Sequence, residues 1–251
     1  MNNWLSRSIK PQEPVHHALL SRCQIGVGFV ISFAVLSFYN LLQTAVVVLY
    51  SQWLGGGVSL GGFDGNLLTL VIGVSTPIAL LVIWQVSRLQ IYEAPVHFGW
   101  CRFSLARLMF WLVVLAGFIL SYPYIAQWFD QPAVNDFVIQ VVSSSNYLAL
   151  TALAVVLLAP VFEEVFFRGY LISVWQQTSL GAWGSILLTS LIWSLIHFQY
   201  DVFEISVIFV FGLILGMARI HSGSIWVPLI MHCVFNGVTL VLVMSHLNQG
   251  N

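Results

Sequence analysis

Six side chains in the second half of the chain have the chemistry for acid–base work: Glu163, Glu164, Arg168, His197, His232 and the amide of Asn236. On a helix, Glu164 and Arg168 lie four residues apart, one turn along the same face, so their charges compensate below a membrane surface. Glu163 points about 100° away and has no such local partner. A partly desolvated carboxylate is suited to general base or acid work. The alternative is that these charges only cap a helix at the interface, although Phe162, Phe166 and Phe167 make a poor solvent-facing pattern. His197 follows Trp193 by one turn, so the indole can wall one side of an imidazole able to move protons near neutral pH. His232 and Asn236 share another face, where both can donate to a developing oxyanion, or where Asn236 can orient His232 as a base. Both histidines also suit plain hydrogen bonding between membrane helices.

These groups must be positioned inside an apolar chain. Of 251 residues, 59% are hydrophobic and 7% charged, with 8 Lys+Arg against 9 Asp+Glu. A soluble domain carries about 25% charge, so a water-facing globule is excluded, and so is disorder. The net charge of −1 offers no footprint for nucleic acid. Cys23, Cys101 and Cys233 have no zinc or redox spacing. The predicted fold is all-α: a polytopic membrane bundle of about seven transmembrane helices, with six to eight compatible with the charge-free runs. Each crossing needs roughly 20 apolar residues, and the runs lack the period of two that a barrel strand requires. The predicted spans lie near 26–50, 67–87, 106–127, 146–170, 182–199, 203–219 and 223–245. The sixth is the weakest, since only 14 uncharged residues separate Glu204 from Arg219. Gly212 and Gly216 on it form a small face for close packing.

The basic residues set the expected orientation. Arg7, Lys10, Arg22, Arg88, Arg102, Arg107, Arg168 and Arg219 fall on one side of the seven-span scheme, whereas Ser51–Asn66 and Ser121–Asn146 have none. The amino terminus is predicted cytoplasmic and the carboxyl terminus outside, in an integral protein of a prokaryotic plasma membrane. Residues 1–25 read as a cytoplasmic segment interrupted by Pro11 and Pro14 rather than as a signal peptide. Residues 26–145 read as an amino-terminal transmembrane region, 146–245 as the core that carries the chemistry, and 246–251 as a short tail. His16, His17, His97, His221 and His246 sit in loops or near interfaces, and Gly55–Gly57 lacks a phosphate-loop lysine. Within the core, Glu163 and His197 lie roughly 20 Å from the cytoplasmic ends of antiparallel helices, and His232 roughly 13 Å.

The order Glu163-Glu164-x-x-x-Arg168, an aromatic-x-x-x-His197, then His232-x-x-x-Asn236 resembles the CPBP family of intramembrane proteases. That family includes type II CAAX prenyl endopeptidases and bacteriocin-processing proteins. The resemblance covers residues 146–244, including the approach from Phe211 and Gly212 through Ser222–Pro228. Trp193 departs from the family's usual Phe but keeps an aromatic wall. The resemblance implies a site opening toward the cytoplasmic side. It also implies Glu163 activating water with His197, His232 and Asn236 receiving the oxyanion, and Glu164 and Arg168 holding the architecture. The implied substrate is a hydrophobic, transmembrane or prenylated peptide among membrane lipids. Two histidines and a glutamate could also form a zinc set with water. No His-Glu-x-x-His segment is present, so a metal-free mechanism is favoured, with Glu163, His197 and His232 as the ligands if zinc or another divalent ion binds. A transporter would bury ionisable groups too, but more naturally in two related halves. A non-catalytic scaffold would leave Glu163 and His197 apart without a water-accessible cavity.

Overall fold

In lipid, the long apolar runs leave the backbone to satisfy its own N–H and C=O groups, and each run folds into a helix. The computed structural model describes residues 22–53, 64–88, 98–132 and 134–249. The expected amino-terminal segment up to residue 21, the glycine turn at 55–57, and His16, His17 and His97 lie outside them. Among the described residues there is no strand.

The helices are α1 (Arg22–Trp53), α2 (Gly65–Arg88), α3 (Leu105–Trp128), the short α4 (Asp136–Ser143), α5 (Leu148–Trp175), α6 (Gly181–Leu195), α7 (Val202–Ser222) and α8 (Trp226–Gln249). All but α4 and α6 are long and apolar enough to cross a membrane, and α6 is a shorter apolar helix. The chain is thus a polytopic helical bundle. One expectation is met where it was weakest and another is corrected. The 203–219 segment is the expected helix at full length, α7, and its terminal charges have partners: Tyr122 Oη donates to Glu204 Oε1 at 2.7 Å, and Arg219 Nε donates to the Arg168 carbonyl at 3.2 Å. The short crossing is instead α6, expected over 182–199. Its 15 residues rise only about 22 Å, and the chain turns after Leu195, so His197 lies in the turn rather than on the helix. The region expected as a plain loop before residue 146 also contains α4, whose Asn135 cap accepts from the Phe137 N–H at 2.9 Å.

α6 packs on α7, α7 on α8, α1 on α2, and α2 on α5. Close approach of α6 and α7 needs the small residues at 212 and 216. A Cβ at Gly212 would come within 2.9 Å of the Ser190 Cβ, and one at Gly216 within 2.7 Å of Ile186. The two ends of the bundle differ. At the end bearing the basic residues, Arg107 donates to the Ser222 carbonyl (3.3 Å), the Ile225 N–H to the Gly99 carbonyl (2.9 Å), and Ser224 Oγ to the Cys101 carbonyl (2.7 Å). Gly223 ends α7 there at φ +72°, a left-handed conformation that glycine adopts without a Cβ clash. At the other end, Ser144 receives the Gly65 N–H at 2.9 Å, and Asn66 receives the Asn146 N–H at 2.9 Å.

Candidate active site

The span that carries both glutamates is not a uniform α-helix. α5 widens into π-helical turns at Ala154–Leu158 and again at Glu164–Leu171. Such insertions in α-helices are frequent at functional sites. The first has a local cause. In the π register the N–H of residue 160 would bond to the Val155 carbonyl, but Pro160 has no N–H. The exposed acceptor is met from α8, where Asn236 Nδ2 donates to the Val155 carbonyl at 2.9 Å. One of the amide's two donors is therefore spent on the backbone of the span that carries Glu163.

The second π segment turns the adjacent carboxylates into different surroundings. Glu164 is fully buried. Its Oε1 receives Arg168 Nη1 at 3.0 Å and lies 2.8 Å from His232 Nδ1. A buried carboxylate needs such partners, because desolvation alone would exceed any gain. Arg168 also reaches the Gly212 carbonyl at 3.4 Å and lies over the Trp193 ring at 4.4 Å. Glu163 keeps 18% of its side chain exposed. Its Oε2 accepts the Trp193 indole N–H at 2.7 Å and lies 3.8 Å from His232 Nε2, which is beyond direct hydrogen-bond reach. Among the described residues no hydrogen bond reaches Oε1 of Glu163.

His232 therefore stands between the two glutamates, one ring nitrogen toward each. Nδ1 is within hydrogen-bond distance of Glu164, and Nε2 is the nitrogen turned toward Glu163. Glu164, and not Asn236, orients this histidine. His197 is placed otherwise. Its Nδ1 lies 2.7 Å from the Trp193 carbonyl, and no ion pair joins it to either glutamate. The Trp193 ring lies edge-on to both imidazoles, at 5.3 Å between centroids in each case. The indole thus touches Glu163, Arg168, His197 and His232, a far larger role than an aromatic wall.

Two further side chains escaped the sequence reading. Tyr39 of α1 stacks on Phe162 at 3.7 Å, fixing the residue before Glu163. Tyr200, in the turn after α6, stacks on His197 at 6.2 Å. Burial, and then the charges of Glu204 and Glu163, push its phenol above the ordinary value, so it stays a hydrogen-bond donor at neutral pH. Neither lies at a motif position. For Trp193 a signal did exist: an indole N–H in an apolar span must find an acceptor, and a carboxylate lay in the neighbouring helix.

The zinc set has no geometry here. His232 and Glu163 approach each other, but His197 faces its own backbone. Among the described residues no three His, Cys, Asp or Glu side chains are grouped to hold a metal ion. These positions do not fit the three-ligand arrangement of a catalytic zinc, and the chemistry considered below uses the chain's own residues.

Fold and site define the class: an integral membrane helical bundle with paired carboxylates and histidines at membrane depth, where ionisable groups mark function. Residues 145–238 match the family described as type II CAAX prenyl endopeptidase Rce1-like, and the resemblance drawn from the motifs is shown over that segment. Glu163, Glu164, Arg168, Trp193, His197, His232 and Asn236 all fall inside it. The chain is also similar to an uncharacterized 24.3 kDa protein of Escherichia coli, 30% identical over 112 residues, which is 44% of this chain and 46% of that protein. The chain thus spans about half the length of that relative. No solved structure matches it.

Proposed function

We propose that the protein is an intramembrane endopeptidase that hydrolyses a peptide bond of a membrane-associated substrate with water activated at Glu163. The observation that carries this reading is the divergence of the two carboxylates. Glu164 is buried and committed to Arg168 and His232, while Glu163 is partly exposed, with one oxygen held by Trp193 and the other free.

In the proposed reaction the free carboxylate oxygen of Glu163 takes a proton from water, and the hydroxide oxygen adds to the carbonyl carbon. His197 assists as the neighbouring proton-transfer group. The carbonyl oxygen becomes an oxyanion, stabilised by the remaining N–H of Asn236 and by His232, whose Nε2 receives the proton that Glu163 took from water and returns it to Glu163 before the collapse. The tetrahedral species then collapses. The C–N bond breaks, the amine leaves with the proton held on Glu163, and a new carboxyl terminus remains. Glu164 and Arg168 hold His232 and the helix register. Fixed donors in a partly dry site stabilise the oxyanion far better than in water. No metal is required by these steps. The substrate is a hydrophobic segment entering from lipid, with a transmembrane precursor or a prenylated tail as candidates.

The test is incubation of the pure protein with a library of membrane peptides, followed by mass-spectrometric mapping of new termini. Cleavage is expected from the wild type and should fall about 100- to 10,000-fold in folded Glu163→Gln and His197→Ala variants. Undiminished cleavage in either variant removes that residue's role. Absence of cleavage by the wild type across the library would turn the reading toward a transporter or a scaffold.

A further inference from the structure

The neighbours of the Glu163 carboxylate in α6 and α8 meet the same oxygen. Trp193 donates to Oε2 at 2.7 Å, and His232 Nε2 lies 3.8 Å from it. α2 also packs against the segment 159–163, and α1 packs on α2. What these two amino-terminal helices bring to that contact is polar. Tyr39 of α1 is buried, and so are Ser75 and Thr76 of α2, Thr76 with 1% of its surface exposed. The Tyr39 ring is held by its stack on Phe162 at 3.7 Å, and Phe162 stacks in turn on Phe166 at 5.8 Å. From that position the phenol lies within reach of the Glu163 charge and beside Ser75, Thr76 and Gln43.

The two hydroxyls of α2 are used differently. Ser75 Oγ donates to the Val71 carbonyl, one turn back in its own helix, as hydroxyls within helices commonly do. Thr76 Oγ1 makes no hydrogen bond among the described residues, although it is buried. A buried hydroxyl left without a partner costs free energy, and such a group calls for a water or for a role in chemistry. It stands beside a phenol, which is protonated at neutral pH and free to donate. The phenol in turn is close to Glu163, whose Oε1 takes no hydrogen bond among the described residues. A water held in a confined polar space needs two to four such partners.

We infer that Tyr39 and Thr76 complete the active site from the amino-terminal helices, holding on Oε1 of Glu163 the water that attacks the peptide bond. The assignment rests on the proposed hydrolysis and gives each group one task. The water donates one hydrogen to Glu163 Oε1 and the other to Thr76 Oγ1, and its oxygen accepts the Tyr39 O–H. One lone pair is left for the carbonyl carbon of the substrate. As the new C–O bond forms, the first hydrogen passes to Glu163 as a proton, and neither hydroxyl gains or loses one. Holding a nucleophile in line lowers the barrier by orientation alone. Both residues lie outside the segment 145–238 that matches the family, so the amino-terminal region contributes to the chemistry and not only to the spans.

Tyr39→Phe keeps the stack on Phe162 and loses only the O–H, and Thr76→Val keeps the shape and loses the hydroxyl. On one mapped substrate each should lower kcat about tenfold with KM unchanged, and each should melt like the wild type. Thr76→Ser should recover most of what Thr76→Val loses. Either variant alone suffices if the other fails to fold. A wild-type kcat, or an effect on KM only, in a folded variant removes that residue from the site and leaves the role of Glu163 standing. A second readout needs no turnover. The infrared carboxylate bands of Glu163, isolated by subtracting the spectrum of Glu163→Gln, should shift when Tyr39→Phe or Thr76→Val is added to both proteins. Bands that stay in place overturn the inference. If the bands shift and the wild type cleaves nothing, the hydrated contact stands and the hydrolase reading falls.

Discussion

Residues 148–159 and 164–175 are two halves of one span with opposite surroundings. The second half is wholly buried and carries an ion pair, a histidine contact and a cation–π contact. The first is mostly half-exposed, interrupted by a π turn and tied to α8 through a single amide–carbonyl hydrogen bond. The difference teaches how a membrane span can hold a reactive carboxylate. The buried half supplies a platform whose carboxylate is committed to partners, and Glu163 beside it keeps part of its side chain exposed. Glu163 belongs to neither half: it is anchored by Trp193 from α6 yet open on one oxygen.

The comparison breaks most severely if the platform is cut. Arg168→Ala leaves the Glu164 carboxylate buried without its cation, which should cost about 3–5 kcal/mol. The expected outcome is a large fall in thermal stability in detergent and loss of the monodisperse fraction. Replacing Glu164 and Arg168 together by leucine should recover part of that loss. An unchanged melting temperature for Arg168→Ala would show that the buried half is no platform.

A smaller effect is expected at the boundary itself. Trp193→Phe keeps an aromatic ring, as the family's usual residue would, but removes the N–H on Glu163. Hydrogen bonds to charged groups contribute about 1.5–3 kcal/mol, so turnover should fall about tenfold or more while the protein stays folded. Wild-type turnover would mean that the packed ring alone positions the carboxylate.

The smallest effect belongs to the loose half. Thr151→Val removes a 2.7 Å contact with Thr69 and a 2.6 Å contact with Ser145. Polar contacts between membrane helices average about 0.6 kcal/mol, and the melting temperature should shift only slightly. A loss as large as that of Arg168→Ala would erase the distinction between the halves.

Much of the bundle was legible because hydrophobic length and charge placement act locally. Charge-free runs located the spans, and the spacing of Glu164 and Arg168 foretold their ion pair. Where the reading failed, the deciding partner lay far away in the chain. Glu204 and Arg219 made the sixth span the weakest prediction, because the Tyr122 and Arg168-carbonyl partners that satisfy them are not visible from spacing. The π turn at 154–158 has its cause in Pro160, but the carbonyl it leaves open is met by Asn236, 81 residues away in sequence. The same absence of long-range information hid the link from His232 to Glu164 and left Asn236 as a candidate for orienting His232. Spacing on one helix shows which groups share a face, but not which carboxylate a neighbouring helix brings to meet them.

The central claim is that two adjacent glutamates divide the labour between chemistry and architecture. Its most direct test is the cleavage rate per folded molecule of Glu163→Gln and Glu164→Gln, measured side by side on one mapped substrate with folded fraction read by thermal unfolding. The account predicts that Glu163→Gln melts like the wild type and cleaves about 100-fold more slowly or worse, while Glu164→Gln loses stability first. A folded Glu163→Gln protein that cleaves at the wild-type rate would contradict it.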